Sequence, residues 1–219
     1  QGAWSSDVCS SDLASAFGAG RGVPADHKAA FVWYGKAAQG GHGEAMLMLG
    51  RSYSFGWGVA RNSRAGLAWM TKAAELGVRD AMYELGQAYR AWGGVVRDYE
   101  RAAGWHRKGL EAGSPDCAIA LAGMHLLGEG MNVDEPGGLA LLDRAVELGG
   151  LDSVRSIALE FEYGGRLPKD VRRSIEWYRR GFEMGGVELA FALGLIFERG
   201  EGVRSEEHTS ELQSPCNIV

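Results

Sequence analysis

Apolar residues return at helical spacing through most of this chain. In Glu44–Phe55 (EAMLMLGRSYSF), Ala45, Met48, Leu49, Ser52 and Tyr53 fall on one side of a helical wheel, the stripe expected of an amphipathic α-helix. A Gly56-Trp57-Gly58-Val59 turn follows, and Arg64–Leu76 (RAGLAWMTKAAEL) then places Ala65, Ala68, Trp69, Lys72 and Ala73 along a second helix. Gly77 ends that helix, because glycine suits the left-handed C-cap conformation. Helices of about 12 residues are marginal alone in water, so pairing and stacking must supply their stability. Alanine and glycine at contact positions let neighbouring helices approach, while Trp and Tyr fill the gaps.

The pattern recurs every 36 residues without an insertion. Trp33, Trp69, Trp105 and Trp177 share one register, with Leu141 in the remaining slot. Gly20, Gly56, Gly128, Gly164 and Gly200 share a second, with Trp92 the exception, and Val23, Val59, Val95, Met131, Leu167 and Val203 a third. Leu49, Leu85, Leu121, Ile157 and Leu193 form a fourth, each followed by a small residue (Gly50, Gly86, Ala122, Ala158, Gly194). A fixed period of this size marks stacked supersecondary units that bury a continuous core. The expected fold is therefore all-α, with about five 36-residue helix-turn-helix repeats.

Both ends stand outside the ladder. One frame of the DNA of a common short-read sequencing adapter translates to Arg204–Ser214, and its reverse complement in another frame contains Trp4–Leu13. Residues 1–13 and 204–219 are accordingly expected to be adapter-derived, leaving 14–203 as a repeat array truncated at both ends. Within 14–203, 22 basic residues meet 23 acidic ones, a net charge of −1, so most of the −5 of the whole chain comes from its ends. A near-neutral array without a Lys/Arg cluster argues against nucleic acid or anionic membrane as the main ligand. Cys9 and Cys216 lie in the ends, so Cys117 has no internal disulfide partner and the redox compartment stays open between bacterial cytoplasm and periplasm. No run approaches the roughly 18 apolar residues of a membrane span.

Leu49–Tyr89 (LGRSYSFGWGVARNSRAGLAWMTKAAELGVRDAMYELGQAY) resembles Sel1-like repeats, relatives of the tetratricopeptide repeat with an LGxxYxxGxGV turn and a WYxKAAExG second helix. The resemblance covers nearly all of 14–203 and implies a right-handed α-solenoid that acts as a protein-binding adaptor, frequently in bacteria, rather than as an enzyme. The unit Gly128–Gly164 departs most from this pattern. It has Leu141-Leu142 for Trp-Tyr, Pro136-Gly137-Gly138 near its second helix start and Ala158 for glycine, so looser packing or altered curvature is expected there. The positions that carry paired cysteines in disulfide-stapled relatives hold no pairs here.

Two charge registers recur. Acids open the first helices (Glu44, Asp80, Asp116, Asp152, Glu188), and bases lie near the ends of the second helices (Lys36, Lys72, Lys108, Arg144, Arg180). Both complement the helix macrodipole; the competing reading is a charged stripe that grips an extended partner. His27, His42, His106 and His125 fall in different repeats with neither HxxxH nor HExxH spacing, which gives a zinc site little support. Cys117 and His125 are separated by about 12 Å of helix rise, beyond hydrogen-bond reach, and Cys117 sits in the small-residue register of Ala45 and Ala81. Glycine clusters such as Gly200-Glu201-Gly202 lack a GK[ST] ending and read as interhelical turns. Neither a catalytic constellation nor a cofactor is expected.

If the units stack as tetratricopeptide repeats do, the first helices line a concave face. The residues expected there are Leu47, Arg51, Phe55, Tyr83, Gln87, Arg90, Ile119, Arg155, Leu159, Tyr163, Phe191 and Leu195. Tyr, Phe and Arg dominate protein-binding hot spots, so a peptide or protein partner fits better than a small polar metabolite. Trp57 and Trp92 stand in loops, as exposed contacts or as plugs between repeats. The expected function is a noncatalytic scaffold or adaptor. The alternative is a regulatory or targeting region of a longer bacterial enzyme, and cell-wall glycan binding is a weaker third. Uncapped end repeats predict self-association.

Overall fold

The computed structural model describes residues 26–91 and 96–200, and the regular structure among them is α-helical. In chain order the helices are α1 (His27–Gln39), α2 (Gly43–Phe55), α3 (Ser63–Glu75), α4 (Arg79–Arg90), α5 (Tyr99–Glu111), α6 (Pro115–Leu127), α7 (Glu135–Tyr163), α8 (Val171–Glu183) and α9 (Val187–Glu198). Residues up to Cys117 form one compact unit and those from Ala118 a second, the division falling within α6. The adapter-like segments 1–13 and 204–219, together with Gly20, Val23, Trp92, Val95 and Val203 of the ladder, lie outside the described residues.

Each 36-residue unit is a helical hairpin, and the same polar devices close each one. The second helices start on a period-36 row of N-caps. Asp26, Asn62, Asp98, Asp134 and Asp170 each accept from backbone N–H groups of their own first turn at 2.9–3.2 Å. Such a carboxylate or amide satisfies donors that the first turn would otherwise leave open. The caps' own backbone N–H groups reach back to the first helix: Asn62 to the Tyr53 carbonyl (2.7 Å), Asp98 to Tyr89 (2.9 Å), Asp134 to His125 (3.0 Å) and Asp170 to Phe161 (2.7 Å). The glycines of the turn register take positive φ values, 80° at Gly56 and 67° at Gly128, which an L side chain rarely adopts.

The link from one hairpin to the next is also built on glycine, and it differs once. Gly41, Gly77, Gly113 and Gly185 stand 36 or 72 residues apart with φ between 82° and 96°. At the corresponding place Gly149 stays helical, and the reversal moves one residue on to Gly150 (φ 58°, ψ −138°). α7 therefore runs through two helical segments joined at Gly150. The altered unit is not loosely packed: Leu142, Ala145 and Val154 are fully buried, Pro136 occupies the first turn and Gly138 lies against Leu126 and the Ala122 carbonyl. What changes there is the link.

Within a hairpin the small residues of the fourth register make room for a large residue from the second helix. A Cβ added at Gly50 would lie 2.6 Å from Met70 Cγ, and one at Gly86 2.3 Å from the His106 ring. Met70, His106, Leu142 and Tyr178 occupy this inward register, and all four are buried. Among the described residues of unit 1, two apolar clusters tie neighbouring helices together. One joins Ala30, Tyr34, Ala37 and Ala38 to Ala45 and Leu49; the other joins Leu47, Met70, Ala73 and Ala74 to Ala81, Met82 and Leu85. The stripe read from sequence for α2 is interior or half-buried as expected. That for α3 is rotated: Gly66, Met70, Ala73 and Ala74 are buried, whereas Ala68 and Lys72 are exposed.

The bases of the second helices have a further role besides offsetting the dipole. Lys36, Lys72, Lys108 and Arg180 lie over Trp33, Trp69, Trp105 and Trp177 one turn earlier, 3.9–4.7 Å from the ring centroids. A cation over an indole face gains roughly 0.5–1 kcal/mol at exposed sites. Where Leu141 replaces Trp, Arg144 pairs instead with Glu147 at 2.6 Å. In unit 2 the second helices are also tied to one another, by Arg180–Asp143 at 2.5 Å and by Arg173–Glu135.

Candidate functional site

The twelve first-helix residues expected to face a partner divide by depth. Leu47 and Ile119 are 1% exposed and Arg90 is 8% exposed, so these three do not present their side chains to a partner. The physical reason is rotation along the helix. Residues four apart advance by about 40° around an α-helix, so Leu47, Arg51 and Phe55 are not on one line. Leu47 faces the next hairpin and packs in the cluster with Met70, Ala73, Ala81 and Leu85. By Phe55 the stripe has turned into solvent.

Phe55 is 64% exposed and Tyr163 63%. Leu127, in the same 36-residue register, is exposed as well; sequence reasoning passed it over although the period alone would have found it. Leu159 and Arg155 are exposed, the latter beside Asp152 at 3.0 Å, and Leu195 is half-buried. Phe191 is 72% exposed, unlike its register equivalents Leu47 and Ile119. Arg51 is half-buried and its Nε and Nη2 both reach Glu84 Oε1, at 2.6 and 2.5 Å, tying α2 to α4. Tyr83 is half-buried against the His106 ring, and Gln87 Nε2 donates to the Tyr83 hydroxyl at 3.3 Å.

In unit 1 several of these residues converge on a cavity of about 380 Å³. Leu67, Met70, Ala88, Ala91 and the Phe55 ring supply its apolar walls, and Arg61, Glu84 and Gln87 its polar groups. Phe55 stacks on Trp57 with 4.9 Å between centroids, and Trp57 also stacks on His27 at 6.3 Å. Trp57 is thus both an exposed residue and a brace: a Cβ at neighbouring Gly58 would strike the His27 carbonyl, so this turn lies directly on the start of α1.

Unit 2 contains a buried polar cluster at the end of its first helix. Glu162 is enclosed, accepts from the Tyr178 hydroxyl at 2.8 Å and pairs with Arg199 at 3.2 Å. Burial, and then the hydrogen bond to Glu162, raises the Tyr178 pKa above its ordinary value of 10.0, and a hydrogen bond with Tyr163 raises that of Arg199. These groups hold α7, α8 and the end of α9 together. Elsewhere Cys117 is buried with its sulfur against Gly109, and His125 Nδ1 lies 3.3 Å from Asp134. Among the described residues no group of three or more His, Cys, Asp or Glu could hold a metal ion. None of the described helices is long and apolar enough to cross a membrane.

Helical hairpins of constant length, capped alike and packed small-on-large, define an α-solenoid repeat protein. The Sel1 repeat model matches residues 10–42, 43–78, 79–114, 115–150, 155–186 and 187–208, and the chain belongs to the Sel1 repeat family. Sel1 repeat proteins are in general protein-interaction scaffolds, and the fold is typically noncatalytic. A solved Sel1 repeat protein from Oxalobacter formigenes is 25% identical, with a TM-score of 0.70 over 94% of this chain and 84% of that one. The immunity protein Pa5087 from Pseudomonas aeruginosa is 22% identical, with a TM-score of 0.55 over 87% of this chain and 70% of that one. A second immunity protein from that organism, PA5088, is 18% identical, with a TM-score of 0.53 over the same shares. No curated protein matches the sequence.

Proposed function

We propose that this chain is a noncatalytic adaptor that recruits a partner protein or peptide through the exposed face of its first helices, in unit 1 around Arg51, Phe55 and Gln87. The observation that carries the reading is the Phe55–Trp57 stack, exposed at the edge of an apolar cavity. Large aromatic rings left in water beside a concave apolar surface are typical anchors of protein interfaces. The exposed Leu127, Leu159 and Tyr163 extend the reading to equivalent positions of unit 2. Near-neutral charge over the repeats supports a protein partner rather than nucleic acid. The chain also self-associates on this reading: Phe182 and Phe191 are exposed, whereas Ala74 and Val146, in register with Phe182, and Leu47 and Ile119, in register with Phe191, are buried.

A pull-down from bacterial lysate tests the adaptor reading, with the full chain and its Phe55→Ser/Tyr163→Ser variant as baits. Both side chains are mostly in solvent, so the variant should keep its circular dichroism and melting temperature. A protein retained by the natural chain and lost from the variant is the expected result. Equal retention by both baits, or none by either, would remove the reading.

A further inference from the structure

We infer that a second copy of this chain lays the exposed face of its α9 over the unit 1 cavity, with Phe191 inserted between the apolar walls and Glu188 against Arg61. This deepens the self-association reading and rests on it, naming the surface on which the exposed ring docks.

The ring belongs to a register that is covered elsewhere in the chain. Leu47, in that register, packs in the cluster with Met70, Ala73, Ala81 and Leu85 and is 1% exposed, and Ile119 is buried to the same extent. Phe191 is instead 72% exposed, and so is Val187 four residues before it. Glu188, three residues before the ring, is exposed and has no ion-pair partner among the described residues. Side chains three and four apart are neighbours on a helix surface. One face of α9 therefore presents two apolar anchors, Val187 and Phe191, with a carboxylate beside them. A Cβ added at Gly194, about one turn further on, would meet nothing within 4 Å, so another surface can approach this face closely.

The unit 1 cavity complements that face in shape and in charge. Leu67, Met70, Ala88, Ala91 and the Phe55 ring give it apolar walls, and a ring moved from water to such walls is stabilised in proportion to the apolar area it buries. Its charges leave one cation over: Glu84 is held by Arg51 at 2.5 Å, whereas Arg61 is exposed and has no ion-pair partner among the described residues. Glu188 supplies the opposite sign. An amphipathic helix set into a groove by anchors one turn apart is a recurrent mode of recognition. Pairing of two α9 faces with each other fits less well, because that face offers Glu188 no opposite charge and Phe191 no concave wall. Occupied in this way the cavity is closed to a partner, so self-association and recruitment compete for it.

Sedimentation velocity of the full chain and of two variants is the test: Phe191→Ser removes the ring, and Arg61→Glu reverses the charge at the cavity. Both side chains stand in solvent, so circular dichroism and melting temperature should match the natural chain. The natural chain should associate as concentration rises. The dissociation constant should increase about thirtyfold or more with Phe191→Ser and about tenfold or more with Arg61→Glu. An equimolar mixture of the two variants should recover one-to-one complexes, because one supplies an intact cavity and the other an intact α9. Adding Glu188→Arg to Arg61→Glu in the same chain should restore association, since the pair is then reversed. Arg61→Glu associating as the natural chain does, a mixture no more associated than its components, or no recovery by the reversed pair would each overturn the assignment and leave self-association standing. A natural chain that stays monomeric at every concentration would remove both, without touching Phe55-dependent capture of a partner.

Discussion

Glycines in this chain do opposite things according to what stands opposite them. A methyl group at Gly123 would collide with the backbone carbonyl of Arg166, and one at Gly104 in α5 would meet nothing within 4 Å. Gly123→Ala should therefore destabilise by about 1–3 kcal/mol or more, because backbone cannot yield cheaply. Gly104→Ala should instead stabilise by about 0.5–1 kcal/mol, by removing chain entropy from a half-buried helical site with room for a methyl group. Urea denaturation of the two variants measures both, and shifts of the same sign would contradict this account of the packing. Tyr178 makes a different kind of test. Its raised pKa means that the folded state holds the phenolic proton more tightly than the unfolded chain, so the stability it contributes is complete below pH 10.0 and declines above it. Tyr178→Phe should cost about 1.5–3 kcal/mol at neutral pH, where Glu162 loses its donor, and the difference from the natural chain should narrow in alkaline solution. Tyr178 shares a 36-residue register with the buried Met70, His106 and Leu142, a row the sequence reading did not use. That Glu162 would be enclosed was not legible, since nothing in a linear pattern brings residues 162, 178 and 199 together.

Element by element, the sequence shows its helices more clearly than it shows their faces. The 36-residue period placed α2 and α3 within one residue of where they lie, because a run of small and large apolar residues closed by glycine has few alternatives. The buried side of α3 was less legible: Ala68 and Trp69 look like core, but Trp69 is half-exposed and braced by Lys72, while the inward positions belong to Gly66 and Met70. A wheel drawn from hydrophobicity cannot distinguish a tryptophan that seals a seam from one that fills a core. The N-cap row could have been read at the same period and was not. Asp170→Ala should cost about 0.5–2 kcal/mol in denaturant midpoint measurements, since two backbone donors of α8 would lose their acceptor. The displaced link in α7 gives the sharpest element-level prediction. Gly150→Ala should cost about 1–3 kcal/mol because φ 58° with ψ −138° is open to glycine alone, and Gly149→Ala should be nearly neutral although the ladder places the turn there.

At the scale of the whole molecule, function depends on which surfaces the stacking leaves uncovered. The first helices are exposed in their last turns, at Phe55, Leu127 and Tyr163, and those of unit 2 also earlier, at Arg155, Leu159 and Phe191. Phe55, Leu159 and Tyr163 of the expected partner-facing set are exposed whereas Leu47, Arg90 and Ile119 are buried, because the register fixes a residue's row and the rotation along that row decides whether it is seam or surface. The exposed Phe182 and Phe191 should drive concentration-dependent association in sedimentation velocity, and Phe182→Ser/Phe191→Ser should shift the chain toward monomer. The central claim is that a partner is held on the exposed ends of the first helices. Hydrogen-exchange mass spectrometry of the full chain, free and bound to the protein it captures, tests this most directly. The account predicts slowed exchange in peptides covering the last turns of α2 and α4 and the Gly56–Arg61 turn, with the second helix α5 unchanged. Protection confined to α3 and α5, or no protection in α2 and α4, would contradict it.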